Sequence, residues 1–507
     1  MQADDIRAPR PQAPRTTSTQ ERSRPPRYAV TRIVVVGAGF AGHRAARALS
    51  RSLARERVEI VLLNPTDYFL YLPLLPQVAA GLLEPRRVTV SLAHTLPRAR
   101  LVLGEATRVD LAGRRVHYTD PEGASGELAY DRLVLAVGSV HKLLPVPGVN
   151  EHAHGFRGLP EALYLRDHIV RQVEMAGAAP HADECGTRCT FVVVGAGYTG
   201  TEVAAQGKIF TDGLHAQLSR PKGPFGPAWR SPDTRPRWLL LDLAPRVLPE
   251  LDRRLSETAD RVLRARGVEV RTGTSIKEAT PDGVLLDDGE FVPTRTLVWC
   301  VGVRPDPLVA DIGLPLDRGR LRVTAALDVP GHPDVFACGD AAAVPDLTRP
   351  LPGNAAGDGP GSGEGSQDGT GSGDGPGGGR RYELTPMTAQ HATRQGEIAA
   401  NNVAASLGYG TARAYRHRDL GFAVDLGGVQ AAANPLGVPL SGPLAGAVTR
   451  GYHLAAMPGN RVRVAADWLI DAALPRQAVQ LGLVSSWSVP LDASSPEVAR
   501  LPGKPRS

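Results

Sequence analysis

Short runs of β-branched and aliphatic residues, each bounded by Gly, Pro or Asp, alternate with helical patterns through most of the chain. Consecutive apolar positions indicate strands that are covered on both faces, as in a parallel sheet, whereas half-exposed strands alternate apolar and polar residues. The pattern therefore predicts an α/β fold of doubly wound, Rossmann-like sheets. The predicted strands are 32–36, 58–63, 133–137, 191–194, 238–243 and 296–301.

Two segments break this pattern. Between Gly353 and Gly379, 13 of 27 residues are glycine, and such a composition buries too little surface to offset its ordering entropy. The stretch from Thr211 to Pro236 carries five prolines among basic residues and predicts an irregular excursion. We expect both segments to be surface insertions.

Length and charge narrow the class of protein. The chain has 507 residues, which allows about three domains, and only four cysteines, which argues against a disulfide-stapled secreted scaffold. Of the net charge of +6, residues 1–28 hold six arginines against three acidic residues. This Pro-rich arm is expected to be a solvated tail or an electrostatic tether to anionic lipid or nucleic acid. No uninterrupted apolar run reaches the 18 residues of a spanning helix.

The first predicted strand runs directly into a glycine motif and then a helix. Gly37, Gly39 and Gly42 form GxGxxG with Phe40 and Ala41 between them. In such a motif the first glycine allows a tight turn, the second admits a pyrophosphate to the backbone, and the third lets helix and strand pack closely. The phosphates then meet the positive end of the helix dipole. This segment therefore predicts a dinucleotide site.

The same arrangement occurs a second time. The strand 191–194 leads into Gly195, Gly197 and Gly200 in the same spacing. Two copies imply two dinucleotides, and the simplest chemical use of two is hydride transfer between a nicotinamide and a flavin.

Folds of this kind place an acidic residue at the end of the second strand, where it takes the ribose hydroxyls. In the second copy this residue is Asp242, and a carboxylate there predicts a preference for NADH over NADPH, because it repels a 2′-phosphate. In the first copy the strand ends at Asn64, with Asp67 nearby as an alternative partner. The sequence does not choose between them.

Four motifs together resemble the two-dinucleotide flavoprotein superfamily. Besides the two fingerprints, 130–139 is similar to the segment that closes over the flavin, and 335–340 is similar to the second flavin motif. Within that superfamily the chain resembles the type II NADH:quinone oxidoreductases, from about Arg32 to about Leu481, through the segments 68–81, 147–153, 296–305 and 386–396.

The resemblance implies FAD and NADH as cofactors and an NADH domain inserted in the FAD domain, followed by a C-terminal α+β region. The expected domains are a disordered basic tail at 1–28, FAD-binding parts at 29–145 and 301–410 with a Gly-rich loop at 350–380, an NADH-binding domain at 146–300 with an insertion at 211–237, a membrane-association or dimerisation region at 411–490 and a tail at 491–507. The implied cofactor contacts are Gly37, Gly39, Phe40, Ala41, Gly42, Asn64, Pro65, Ala136, Gly138, Gly339, Asp340, Ala389, Gly195, Gly197, Gly200, Asp242 and Gly302.

Two residues are the implied catalytic groups. Glu202, in the first turn after the second fingerprint, is expected to face the nicotinamide and flavin junction and to relay protons; the alternative is a glutamate that only stabilises the helix start. Gln390 is expected to hydrogen-bond a quinone carbonyl; the alternative is a plain helix-start residue. The family usually has a second glutamine four positions on, and here Arg394 stands on that same helix face.

The cysteines exclude one neighbouring chemistry. Disulfide reductases of the superfamily carry a cysteine pair after the first fingerprint, and residues 43–60 contain none. Cys185 and Cys189 are interpreted as loop thiols without metal, with a zinc or redox pair as the alternative. Cys300 and Cys338 are expected to be buried inert thiols. Their proximity to flavin motifs leaves a sulfide:quinone oxidoreductase as a further alternative. No metal site is predicted.

The expected function is electron transfer from NADH through FAD to a membrane quinone without proton pumping. In the C-terminal region, Arg461 and Arg463 precede a helix with Trp468, which suits a membrane surface, although Asp467 and Asp471 interrupt that helix. Packing against a second subunit is the alternative, so a homodimer is considered. We expect a cytoplasmic protein, peripheral on the inner face of the cell membrane, with no nucleic-acid partner. The competing functions are a reductase of a soluble ferredoxin-like carrier and a flavin-binding regulatory protein with a decayed acceptor site.

Overall fold

The computed structural model describes residues 30–55, 57–179, 181–219, 235–351, 382–493 and 495–499. The basic arm at 1–28 and most of both predicted insertions lie outside these ranges, so their expectations stay predictions. No helix within the described ranges combines the length and hydropathy of a membrane-spanning segment.

The first part of the chain builds most of one parallel sheet and a small antiparallel meander. Its strands and helices are β1 (Thr31–Val36), α1 (Phe40–Ser52), β2 (Val58–Asn64), β3 (Tyr68–Leu70), α2 (Leu75–Ala79), α3 (Pro85–Val88), β4 (Thr89–Ser91), α4 (Leu92–Thr95), β5 (Ala99–Leu103), β6 (Glu105–Asp110), β7 (Arg115–Thr119), β8 (Ser125–Ala129), β9 (Arg132–Leu135) and β10 (Ser139–His141).

The middle part builds a second parallel sheet with its own meander. It contains α5 (Val149–His152), β11 (Ala153–Gly155), α6 (Leu159–Ala178), α7 (Ala182–Arg188), β12 (Thr190–Val194), α8 (Tyr198–Leu218), β13 (Arg237–Asp242), α9 (Arg253–Ala265), β14 (Val268–Thr272), β15 (Ile276–Thr280), β16 (Gly283–Leu286), β17 (Phe291–Pro293) and β18 (Thr296–Trp299).

The chain then returns to the first sheet before it forms the C-terminal region. The remaining elements are β19 (Val303–Pro305), α10 (Leu308–Asp311), β20 (Leu316–Asp317), β21 (Arg320–Arg322), β22 (Asp328–Val329), β23 (His332–Ala337), β24 (Ala342–Ala343), β25 (Pro345–Pro350), β26 (Tyr382–Leu384), α11 (Ala389–Ser406), β27 (Ala423–Asp425), β28 (Ala431–Ala433), β29 (Leu440–Ser441), α12 (Gly442–Ala456) and α13 (Arg461–Ala473).

The two large sheets are nested. The first has the strand order β22-β23-β9-β1-β2-β5 and the second β11-β18-β12-β13-β14. Because β23 pairs in parallel with β9, the first sheet is completed only after the whole second sheet has been built. The predicted α/β fold with one Rossmann-like unit inserted in the other is therefore confirmed, and each predicted strand lies in one of these two sheets.

Two predicted boundaries and the predicted position of one cysteine need correction. Helix α8 continues to Leu218, so the first residues of the segment predicted as an insertion from Thr211 are helical, with Leu214 buried and Thr211 donating to Gly207 O at 3.0 Å. The predicted tail from 491 begins with an anchored residue, because Leu491 is 1% exposed in the core of the second sheet's meander. Cys185 lies within helix α7 and not in a loop.

Candidate active site

The first fingerprint leaves open space at one glycine only. Gly37 has a φ of +92°, and a Cβ there would lie 2.4 Å from Ala136 O. A Cβ on Gly42 would lie 1.8 Å from Gly37 O, so a side chain at either position collides with backbone. At Gly39, the residue before α1, a Cβ would meet nothing within 4 Å. The turn is thus closed by protein on two sides and open at the N-terminus of α1, where a pyrophosphate fits.

The second fingerprint repeats this geometry. A Cβ on Gly195 would lie 2.2 Å from Cys300 O, and one on Gly200 would lie 1.8 Å from Gly195 O. Gly197, which precedes α8, again faces nothing within 4 Å. The residues present therefore fit two diphosphate-linked nucleotides, one at each helix start.

The residues at the ends of the second strands hold the fingerprints in shape. Asn64 accepts a hydrogen bond from Ala38 N at 2.7 Å, and Asp242 accepts one from Ala196 N at 2.5 Å. Asn64 also donates to Thr66, whereas Asp67 is exposed. The two residues occupy equivalent places, and each clamps the turn that would receive its dinucleotide.

A polar network joins the flavin motifs to the start of the second sheet. Ser139 donates to Asp340 Oδ2 at 2.5 Å and accepts from Arg157 Nη2 at 2.8 Å, and Arg157 Nη2 lies 4.0 Å from Asp340. The Nε of Arg157 is buried and has no hydrogen-bond partner among the described residues. Arg157 belongs to no motif in the sequence, and its only signal there is its place close after the nested domain begins. An unsatisfied guanidinium N–H here suits an anionic group.

The other implied cofactor contacts are spread over the first sheet, helix α11 and the link between the two sheets. Gly339 N donates to Gln395 Oε1 at 2.8 Å, and a Cβ on Gly396 would lie 2.1 Å from Ala41 O, so helix α11 rests directly on α1. Phe40 stacks edge-on with Phe69 at 5.1 Å. Of the remaining predicted contacts, Ala136 is buried beside Gly37, Pro65 follows β2, Gly138 has a φ of +79°, Gly302 has a φ of +101°, and Ala389 is the first residue of α11.

Helix α11 presents Gln390 and Arg394 to one loop. Gln390 donates to Gly421 O and accepts from Leu420 N, both at 3.3 Å, and Arg394 donates to Arg418 O. Both residues of the shared face therefore contact the segment 418–421. The amide of Gln390 forms two long hydrogen bonds to backbone in this arrangement.

Another side chain of helix α11, His391, packs among aromatic rings. His391 and His417 stack at 3.8 Å, and Tyr415 Oη lies 2.9 Å from His391 Nδ1 and 3.2 Å from His417 Nδ1. Burial lowers the pKa of His391 to about 4, so this imidazole is neutral at physiological pH. These rings fix the loop that Gln390 and Arg394 contact.

Glu202 is buried within the first turns of α8, with 9% exposure. Its Oε1 accepts a hydrogen bond from Asp425 N of strand β27 at 2.9 Å. Burial, with a smaller contribution from the Asp425 charge, raises the pKa of Glu202 well above its usual range. A raised pKa favours the protonated form of Glu202, which is the form that can donate a proton.

The four cysteines are free. Burial raises the pKa of Cys189, Cys300 and Cys338 to about 12, so they are thiols and not reactive thiolates. Cys300 follows β18 and is partly exposed, whereas Cys338 is fully buried. Among the described residues no group of three or more His, Cys, Asp or Glu side chains could hold a metal ion.

Sequence comparison places these motifs among known oxidoreductases. Residues 31–396 match the model of the pyridine nucleotide-disulphide oxidoreductase family. The chain is 33% identical over 347 residues to the type II NADH:quinone oxidoreductase Ndh of Mycobacterium tuberculosis, a match that covers 66% of this chain and 71% of that protein. It is 27% identical to demethylphylloquinone reductase NdbB of Synechocystis, over 86% of this chain and 95% of that protein.

The fold has a counterpart among solved structures. NDH2 of Plasmodium falciparum, in complex with NADH, superposes with a TM-score of 0.72 at 16% identity and covers 89% of this chain and 99% of that one. At this identity the likeness concerns the fold.

Proposed function

This chain belongs to the pyridine nucleotide-disulphide oxidoreductase family and, within it, to the type II NADH:quinone oxidoreductases, and from that membership we propose that it oxidises NADH and reduces a quinone without pumping protons. The observation that carries the proposal is the pair of open glycines, Gly39 and Gly197, each at the start of a helix that follows a buried strand. The relatives named above favour a quinone over a soluble protein carrier as the acceptor.

The chain's own residues mainly bind and orient FAD and NADH and take little part in the chemical steps. The fingerprint of α1, with Asp340 and Arg157, holds FAD, and the fingerprint of α8 holds NADH beside it. When bound, FAD accepts a hydride and releases the two electrons to a second substrate. The sheets exclude water from the junction, and Glu202 keeps a proton at its carboxyl oxygen. Gln390 and Arg394, which are half-buried on α11, would receive the quinone.

The test is a turnover measurement on the purified full chain. We expect a flavin spectrum, loss of NADH when menadione is added, and at least about tenfold slower loss of NADPH, because Asp242 would lie against a 2′-phosphate. A yellow protein that gives no turnover with menadione would refute the quinone assignment. Equal use of NADPH would refute the role given to Asp242.

We further propose that the protein is peripheral on the inner face of the cell membrane. Helix α13 turns an apolar face outward, and Val462, Leu469 and Ile470 are 83%, 73% and 56% exposed. Asp467 does not interrupt this face, because it points inward and pairs with Arg87 at 2.9 Å. Exposed Arg461 and Arg463 flank the face, which suits an anionic lipid surface.

Charging that face is expected to release the protein from lipid. In the variant Leu469→Glu, the fraction that sediments with anionic vesicles should fall about tenfold, because a buried leucine contributes about 1.5–3 kcal/mol. Turnover with water-soluble menadione should stay within about twofold. Phe291→Glu, at a residue that is 46% exposed on the second sheet's meander, is the matched control. If Leu469→Glu leaves vesicle binding intact and instead dissociates a dimer in light scattering, the face is an interface between two copies.

A further inference from the structure

A second acidic residue contacts Glu202 and has no role in the function described so far. Asp425 ends strand β27, and its backbone N–H donates to Glu202 Oε1 at 2.9 Å. The two residues are 223 positions apart in sequence. The charge of Asp425 opposes ionisation of the Glu202 carboxyl group, so the two groups titrate together.

The hydrogen bonds show which of the two is charged. Trp468 Nε1 can only donate, and it contacts Gln77 Oε1 at 2.7 Å, which fixes the amide of Gln77 with its NH₂ toward Asp425 Oδ2, also at 2.7 Å. The other oxygen, Oδ1, accepts from Gly427 N at 2.7 Å. Both oxygens of Asp425 are therefore acceptors, as in an ionised carboxylate.

The surrounding charges support the same assignment. Burial raises the pKa of Asp425, whereas the hydrogen bonds from Gly427 and Gln77 and the charges of Arg450 and Arg266 favour its negative form. Glu202 has no cation among the groups that shift its pKa, and Tyr198, on its own helix, is a neutral phenol. Of the two carboxyl groups, Glu202 is therefore the one that protonates more readily.

We propose that Asp425 is a positioning residue for quinone reduction, whose charge keeps Glu202 protonated as the donor for the second proton of the quinol. The inference rests on the proposed function. NADH supplies a hydride, which is two electrons and one proton, whereas quinol formation takes two electrons and two protons. The carboxyl O–H of Glu202 breaks as an O–H bond forms on the quinone oxygen, and solvent then restores the proton to Glu202.

The first test is Asp425→Asn, which removes the charge and keeps the backbone N–H that holds Glu202. The oxidation of reduced flavin by menadione, followed by stopped flow against pH, should lose rate at alkaline pH in the native enzyme as Glu202 loses its proton. In Asp425→Asn this loss should occur about one pH unit lower, because a nearby like charge shifts a pKa by about that much. Reduction of the flavin by NADH should be unchanged.

A second variant predicts a shift of the same sign and smaller size. Gln77→Leu takes away a donor that stabilises Asp425 as an anion. Asp425 then keeps a proton to higher pH and repels a charge on Glu202 less, so the alkaline loss of rate should move toward lower pH. Asp467→Asn, at a buried carboxylate of helix α13 that pairs with Arg87, is the matched control and should leave the profile where it is.

The outcomes distinguish a failure of the inference about Asp425 from a failure of the proposed function. If the native enzyme contains flavin but does not turn over menadione, the proposed function fails. If it turns over and the alkaline limb of Asp425→Asn coincides with that of the native enzyme, the function stands and the role of Asp425 is refuted. In the double variant Asp425→Asn with Glu202→Gln the limb should disappear altogether, and a limb that persists there also refutes the inference.

Discussion

Replacing Gly39 by valine is expected to give a folded protein with much less bound flavin. The backbone at Gly39 is extended, with φ −67° and ψ −165°, and valine is at home in such a conformation. A Cβ at this position touches no protein atom within 4 Å, so the substitution does not strain the fold. The added methyl groups would instead occupy the space that a pyrophosphate needs at the start of α1. Overpacking of about 1–3 kcal/mol lowers flavin affinity by about tenfold or more.

The ratio of visible flavin absorbance to protein absorbance measures this effect, and circular dichroism reports the fold. Gly213→Val is the matched control, because Gly213 also meets nothing within 4 Å but lies exposed in α8, more than three turns beyond the second fingerprint. A Gly39→Val protein as yellow as the native one would mean that the first fingerprint does not receive a phosphate.

Replacing Gly197 by valine is expected to weaken the binding of NADH and to leave the binding of flavin unchanged. The geometry of Gly197 before α8 matches that of Gly39 before α1, with φ −72° and ψ −167° and open space beyond the Cα. This variant should keep its flavin and lose its response to NADH, with the KM for NADH raised about tenfold or more. Chemical reduction of its flavin with dithionite, followed by reoxidation with menadione, should proceed as in the native enzyme.

The same Gly213→Val control applies to this second variant. Loss of flavin from Gly197→Val would show that the fingerprint of α8 does not serve NADH alone. Rapid flavin reduction by NADH would show that the nicotinamide dinucleotide binds elsewhere.

The local part of this fold could be predicted from the sequence. A strand such as β1 needs only its own run of valines, and a turn such as Gly37 to Gly42 needs only its neighbours, so both follow from nearby residues. The end of helix α8 was missed because prolines further on in the insertion suggested an irregular segment, whereas the residues up to Leu218 themselves favour a helix.

The parts that were missed depend on distant partners. In the sequence, Asp467 interrupts the apolar pattern of α13. In the structure it pairs with Arg87, 380 positions earlier. The sequence leaves open whether Asn64 or Asp67 is the ribose partner. That choice depends on which of the two side chains turns inward to Ala38. Asp425 has no motif of its own, and only the arrival of β27 beside α8 gives it a neighbour to act on.

The nesting of the two sheets constrains the order in which the polypeptide can assemble. Strand β9, which ends at Leu135, pairs with β23, which begins only at His332. One edge of β9 therefore stays unpaired while the ribosome makes the whole intervening unit. Such distant pairing is slow, and an open edge is prone to stray association. The inner unit, whose strands pair among themselves, can fold first and bring the two ends of the outer one together.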